Sequence, residues 1–216
     1  MTDAAAVLAN HSNAATTWLT LTPVGALRAY ARRQPDTEAL ALQAFLQGPN
    51  TLRLEAWLSG TDGATALYPE ALAQGWLEQL PRPLQRPDAR LDDFVQHVIA
   101  SLSGERSAVL ASESGFCLGR TGMSQDDADT LSAGAADFSD FAQRQVKRGW
   151  AGAQNYVSFH RDAAMLLPEV SLVPFWVDAV GYWLIVRGEP LLNNPALVEL
   201  IWGIQHAAGR FSPSAA

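Results

Sequence analysis

The sequence predicts an α+β fold, an antiparallel sheet flanked by helices and preceded by a small, mainly helical N-terminal unit. Three observations carry this. From Asp88 onward the apolar periodicity runs helix, two strands, helix, three or four strands, helix, an order that layers helices on one antiparallel sheet. Before Asp88 the spacing is mostly helical. Seven of the 12 prolines fall between Pro23 and Pro87 and none between Asp88 and Leu167. Pro81, Pro83 and Pro87 cannot continue a helix and stiffen the chain. The expected units are therefore 1–80, a proline-rich linker at 81–87, and 88–216.

In the first unit, Thr22 caps a helix with Pro23 at its first position. Val24, Leu27, Tyr30 and Ala31 follow at helical spacing, and Pro35 stops the run. Asp36 or Thr37 starts a second helix, with Leu40, Ala44 and Phe45 on one face and Gly48 as its end. Thr51–Leu58 fits strand alternation and helical spacing equally. Thr61-Asp62-Gly63 is a turn, and Pro69–Leu80 reads as a third helix with Leu72, Trp76, Leu77 and Leu80 apolar.

The second unit is more sharply patterned. Asp88 is placed to cap a helix in which Leu91, Phe94, Val95, Val98, Ile99 and Leu102 share one face, with Gly104 as its end. Ser107–Ser112 is a short apolar strand, Glu113-Ser114-Gly115 a turn, and Phe116–Arg120 the returning strand. Ser124 caps a long helix with Asp126, Asp127 and Asp129 near its start, favourable at the positive end of the helix dipole. Its seam is Ala128, Leu131, Ala135, Phe138, Ala142 and Val146. Asn155–Arg161 is a strand that turns into Ala164–Leu167. Leu172–Val177 and Tyr182–Arg187 form a hairpin across Asp178–Gly181. Asn194 and Pro195 open a last helix carrying Leu197, Leu200, Ile201 and Ile204, with Gly209 at its end.

Composition narrows the function. The chain has 216 residues, and 15 basic against 22 acidic side chains leave a net charge of −7, contrary to the cationic footprint of a nucleic-acid binder. A single cysteine excludes an internal disulfide framework and a cysteine-based zinc site. The start lacks a basic n-region and a sustained apolar run, so a soft leader to about Asn13 is expected rather than a secretory signal. The apolar stretch Ala163–Val186 contains Glu169, Asp178 and two prolines, which suit buried strands better than a membrane span. The expectation is a cytoplasmic protein.

No catalytic set assembles from the motifs. His160-Arg161-Asp162 matches the letters that open a kinase catalytic loop, but the only lysine is Lys147 and no metal-binding partner motif accompanies it. Gly115, Gly119 and Gly122 lead into a helix that begins with aspartates, which would repel a phosphate. Cys117 has no histidine near it in sequence and reads as a buried, inert thiol. His11, His97, His160 and His206 lack metal-ligand spacing. No catalytic residue, cofactor or metal is expected. Of the seven tryptophans, Trp176 and Trp183 lie in the predicted hairpin, either as core or as an aromatic surface for a partner.

The second unit resembles the Roadblock / dynein light-chain family. The resemblance rests on Leu91-Asp92-Asp93-Phe94 opening a first helix and on Ala108–Gly119 as a strand–turn–strand. It continues through the alanine-rich helix Ser124–Val146, then Tyr156–Phe159 as third strand and Tyr182–Val186 as last, and so spans residues 88–211. It implies a Roadblock/profilin-like layer arrangement and a non-enzymatic interaction module. The module would be a homodimer acting as a scaffold or regulator of a small Ras-like GTPase or signalling complex. Carried over by position, it implies dimer contacts at Phe138, Phe141, Val157 and Phe159, with Trp176 and Trp183 as a candidate partner surface. The chain departs from the pattern in its first 87 residues, in Lys147–Trp150, and in the proline-bearing stretch Ala164–Val177. A small-molecule sensor of GAF, PAS or profilin-like type and a secretion chaperone are the alternative readings.

Overall fold

The computed structural model describes residues 17–87, 91–150, 156–162, 164 and 166–211, with backbone alone for 91–94 and 208–211. The expected leader, the Asp88 cap, and the side chains of Leu91–Phe94 lie outside that description. The fold is α+β.

The N-terminal part is a three-stranded antiparallel sheet wrapped by short helices. Its strands are β1 (Trp18–Leu21), β2 (Leu52–Arg53) and β3 (Leu77–Leu80), in the order β2-β1-β3. The helices are α1 (Pro23–Ala29), α2 (Thr37–Gln43), α3 (Leu54–Gly60) and α4 (Ala64–Ala73), with a single 3₁₀ turn at Ala44–Leu46. Both expected caps form. The Thr22 side chain accepts from the Gly25 N–H, and that of Asp36 from the Ala39 N–H.

Several details differ from the sequence reading. The first helix stops at Ala29 and buries Gly25, Ala26 and Ala29 instead of Val24 and Ala31. The cause is a close approach. Gly25 lies against the backbone of Trp76, whose carbonyl accepts from the Thr22 N–H, and a Cβ at Gly25 would collide with that oxygen. In α2 the buried residues are Ala39, Ala41 and Leu42, and Leu40 is exposed. Thr51–Leu58 resolves as both of its readings, a two-residue strand running into a helix. The third predicted helix is displaced. The helix spans Ala64–Ala73 with Pro69 inside it, Gly75 adopts φ 66°, and Leu77–Leu80 is a strand paired with β1. The prolines at 81–87 keep their segment extended, and it is tied back by Thr51 N–H to Leu84 O (3.0 Å) and Arg86 N–H to Pro49 O (2.9 Å).

The C-terminal part follows the predicted order. Helix α5 (Leu91–Ala100), β4 (Ala108–Ser112), β5 (Cys117–Thr121), α6 (Gln125–Val146), β6 (Val157–Phe159), β7 (Val170–Val177), β8 (Val180–Arg187) and α7 (Ala196–Phe211) follow in turn. The sheet is antiparallel, in the order β5-β4-β8-β7-β6. The backbone of α7 stays helical through Gly209.

Side-chain alternation divides the sheet between two cores. Ala108, Leu110, Val173, Phe175, Tyr182, Leu184 and Val186 face α5, α7 and the N-terminal helices. Val109, Ala111, Leu172, Trp183 and Ile185 face α6. Strands β4, β7 and β8 are thus buried on both faces, which is why they read as near-continuous apolar runs. The first core is continuous from Leu19 to Ile204. It is stitched by the backbone N–H of Trp176 to Tyr30 O (2.9 Å) and by the indole of Trp202, which donates to Gly48 O (2.9 Å). Burial, helped by the charge of Asp178, raises the Tyr30 hydroxyl above its ordinary pKa, so it stays a neutral donor toward Gln205 (3.4 Å).

Candidate interaction surface

Helix α6 and the edge strand β6 bring together the residues the sequence points to. The helix starts where Ser124 accepts from the Asp127 N–H, with Asp126 and Asp127 in its first turn. Its sheet-facing side is Ala128, Ser132, Ala135, Ser139 and Ala142, residues small enough to bring it close to β4 and β8. Ser132 and Ser139 donate to the carbonyls four residues back, and Ser139 Oγ also accepts the buried indole N–H of Trp183 at 2.7 Å.

The flank of the helix carries large aromatic side chains. Phe138 is half-buried and meets the ring of Phe159 with centroids 5.7 Å apart. Phe141 is 39% exposed and lies edge-on to Trp150, itself 55% exposed, at 6.1 Å. Val157 packs beneath, on the core that α6 covers. Phe159 is 49% exposed. The four residues Phe138, Phe141, Val157 and Phe159 therefore lie on the second half of α6 and on β6.

Among the described residues strand β6 is the last of the sheet and pairs with β7 alone, through Val157↔Leu172, Ser158↔Ser171 and Phe159↔Val170. On its outer edge no described strand pairs with it. The opposite edge, β5, is bulged against β4 and lies under α5 and α6. Two further exposed aromatics of this region are Trp150 and Tyr156. Both lie beyond the helix end, where no periodicity marks them, although their size alone was a signal. The Tyr156 hydroxyl donates to Ser171 Oγ (2.7 Å), fixing the ring beside β6.

The two hairpin tryptophans are placed differently. Trp183 is 4% exposed beneath α6, so it is core and not surface. Trp176 is half-buried and lines a cleft of about 320 Å³ with Arg32, Arg33 and Glu113.

Chemistry-bearing groups are scattered. Cys117 is half-buried, and burial raises its thiol pKa, so less of it is thiolate at neutral pH. His160 meets Ser158 Oγ at 3.1 Å. Among the described residues there is no group of three or more His, Cys, Asp or Glu that could hold a metal, and no helix long and apolar enough to cross a membrane. Comparison with family models, curated proteins and solved structures returns no match to this chain.

Proposed function

We propose that this chain is a non-enzymatic protein-interaction module that self-associates through the second half of α6 and the edge of β6. The observation that carries the reading is the aromatic set Phe138, Phe141, Trp150, Tyr156 and Phe159 beside a strand edge that no described strand pairs with. Large aromatic side chains dominate the energetics of protein interfaces, and an open strand edge supplies ready backbone hydrogen bonds.

The charge order along α6 supports a second copy of the chain as occupant. Asp137 and Asp140 precede Arg144, Lys147 and Arg148, and among the described residues none of the five has an ion-pair partner. An antiparallel crossing of two α6 helices about a twofold axis near Phe141 sets the acidic stretch of each opposite the basic end of the other. The β6 edges then pair, joining two five-stranded sheets.

The resemblance of residues 88–211 to the Roadblock family supplies the further partner class, a small Ras-like GTPase or the signalling complex around one. Light scattering on the purified chain tests self-association. A concentration-dependent dimer is expected, and Phe159→Asp and Phe141→Asp are each expected to give monomers with unchanged circular dichroism. A strict monomer at high concentration, or dimers that survive both substitutions, would overturn the reading. A defined panel of purified small GTPases, presented to the dimer in both nucleotide states, tests the partner class.

A further inference from the structure

A second site lies where the two parts of the chain meet, away from the β6 edge. The turn after α1, the β4–β5 turn, the flank of α6 and the end of the β7–β8 hairpin enclose the 320 Å³ cleft. That volume is at the lower end of the ~300–1,000 Å³ typical of small-molecule sites.

The lining is specific. Trp176, half-buried, contributes the indole surface of the cleft, and the edge of the largely buried Trp183 completes the lining. The Trp183 N–H is engaged by Ser139, so this ring offers only its apolar body. The indole N–H of Trp176, unlike its backbone N–H, has no hydrogen-bond partner among the described residues and is buried. Glu113 is the one carboxylate among the described lining residues, and it is already held by the Arg33 guanidinium and approached by the Gln143 amide at 3.5 Å. Gly181 makes this possible, because any Cβ there would press on the Glu113 side chain. Arg32 is two-thirds exposed at the rim, with only a 3.7 Å contact to Asp36.

With Glu113 neutralised by Arg33, the remaining polar capacity of the cleft is donor-rich and positive, over an aromatic wall. We infer that it binds a small, flat organic carboxylate, with the ring against the Trp176 indole and the carboxylate on Arg32. A guanidinium is the side chain best matched to a carboxylate, and aromatic rings favour offset or edge contact with indole. An organic cation would meet two guanidinium groups, and inorganic phosphate would leave the aromatic wall unused.

Titration calorimetry with 1-naphthoate, 1-naphthylmethylammonium and inorganic phosphate tests this on the full chain. Saturable binding of naphthoate alone is expected. Arg32→Gln and Trp176→Leu should each weaken it by about tenfold or more, while Arg161→Gln, in a different surface cleft, leaves it unchanged. Thermal melts establish that each variant is folded, and Arg32→Gln touches only an exposed side chain. No binding of naphthoate up to ~10 mM, equal binding of the cation or of phosphate, or unchanged affinity in either cleft variant would overturn the proposal.

Discussion

Ser139 on α6 accepts the indole N–H of Trp183 on β8 at 2.7 Å, across 44 residues of sequence, and both groups are buried. This bond fixes the rotation of α6 on the sheet, and with it the side on which Phe138 and Phe141 emerge. Replacing Ser139 with alanine leaves a buried donor unsatisfied, which costs about 1–3 kcal/mol. Ser132→Ala removes only a hydroxyl bonded to a carbonyl four residues back and is expected to be near neutral, since alanine is the better helix former. Urea denaturation of the two variants reads the difference, and equal stability would contradict the role given to Ser139.

The β7–β8 hairpin turns on Asp178 and Ala179, with φ of 49° and 64°. A two-residue turn of this hand needs left-handed backbone at both central positions, and alanine is strained there. Ala179→Gly is therefore expected to stabilise the chain by about 1 kcal/mol, with the carbonyl that Arg33 approaches at 3.4 Å retained. A higher thermal midpoint for the variant checks this, and a lower one would refute it.

Asp36 has its pKa lowered, first by the Ala39 N–H that its carboxylate caps and then by Arg28. A carboxylate whose folded pKa lies below its unfolded value stabilises fully above the unfolded value, about 3.9. The contribution is lost as pH falls through the folded one. Asp36→Asn keeps an oxygen for the cap but cannot ionise. At neutral pH it should be less stable by a few tenths to ~1 kcal/mol, a small effect because the pair is partly exposed. The deficit should vanish in strong acid. A gap between the two proteins that does not change with pH would sink the assignment.

What the sequence disclosed depended on how local each signal is. Ser124, Asp36 and Thr22 marked helix starts correctly because a cap is settled within three residues. The β7–β8 hairpin was legible because two apolar strands flank a short turn. By contrast, β1 and β3 are four residues each and owe their conformation to one another. Leu77 and Leu80 continued a helical spacing that only Gly75 interrupted, and a strand this short has no period of its own to set against it. The Pro69 reading failed because proline is usual at a helix start, yet here α4 accommodates it five residues after its first. At the site, Phe138 and Phe159 were named by analogy of position, but their ring contact joins a helix to a strand 21 residues on, which periodicity does not encode. For Trp183 the sequence leaves surface and core open, and the parity of β8 decides it by turning residue 183 toward α6.

Helix α6 and strand β6 are proposed as the surface through which this chain associates. Amide hydrogen exchange at two protein concentrations, far apart, tests it most directly. As concentration rises, protection should increase in peptides covering Phe138–Trp150 and Tyr156–Phe159 and stay constant across Trp18–Leu80. Exchange that is independent of concentration everywhere, or new protection confined to the N-terminal sheet, would contradict the account.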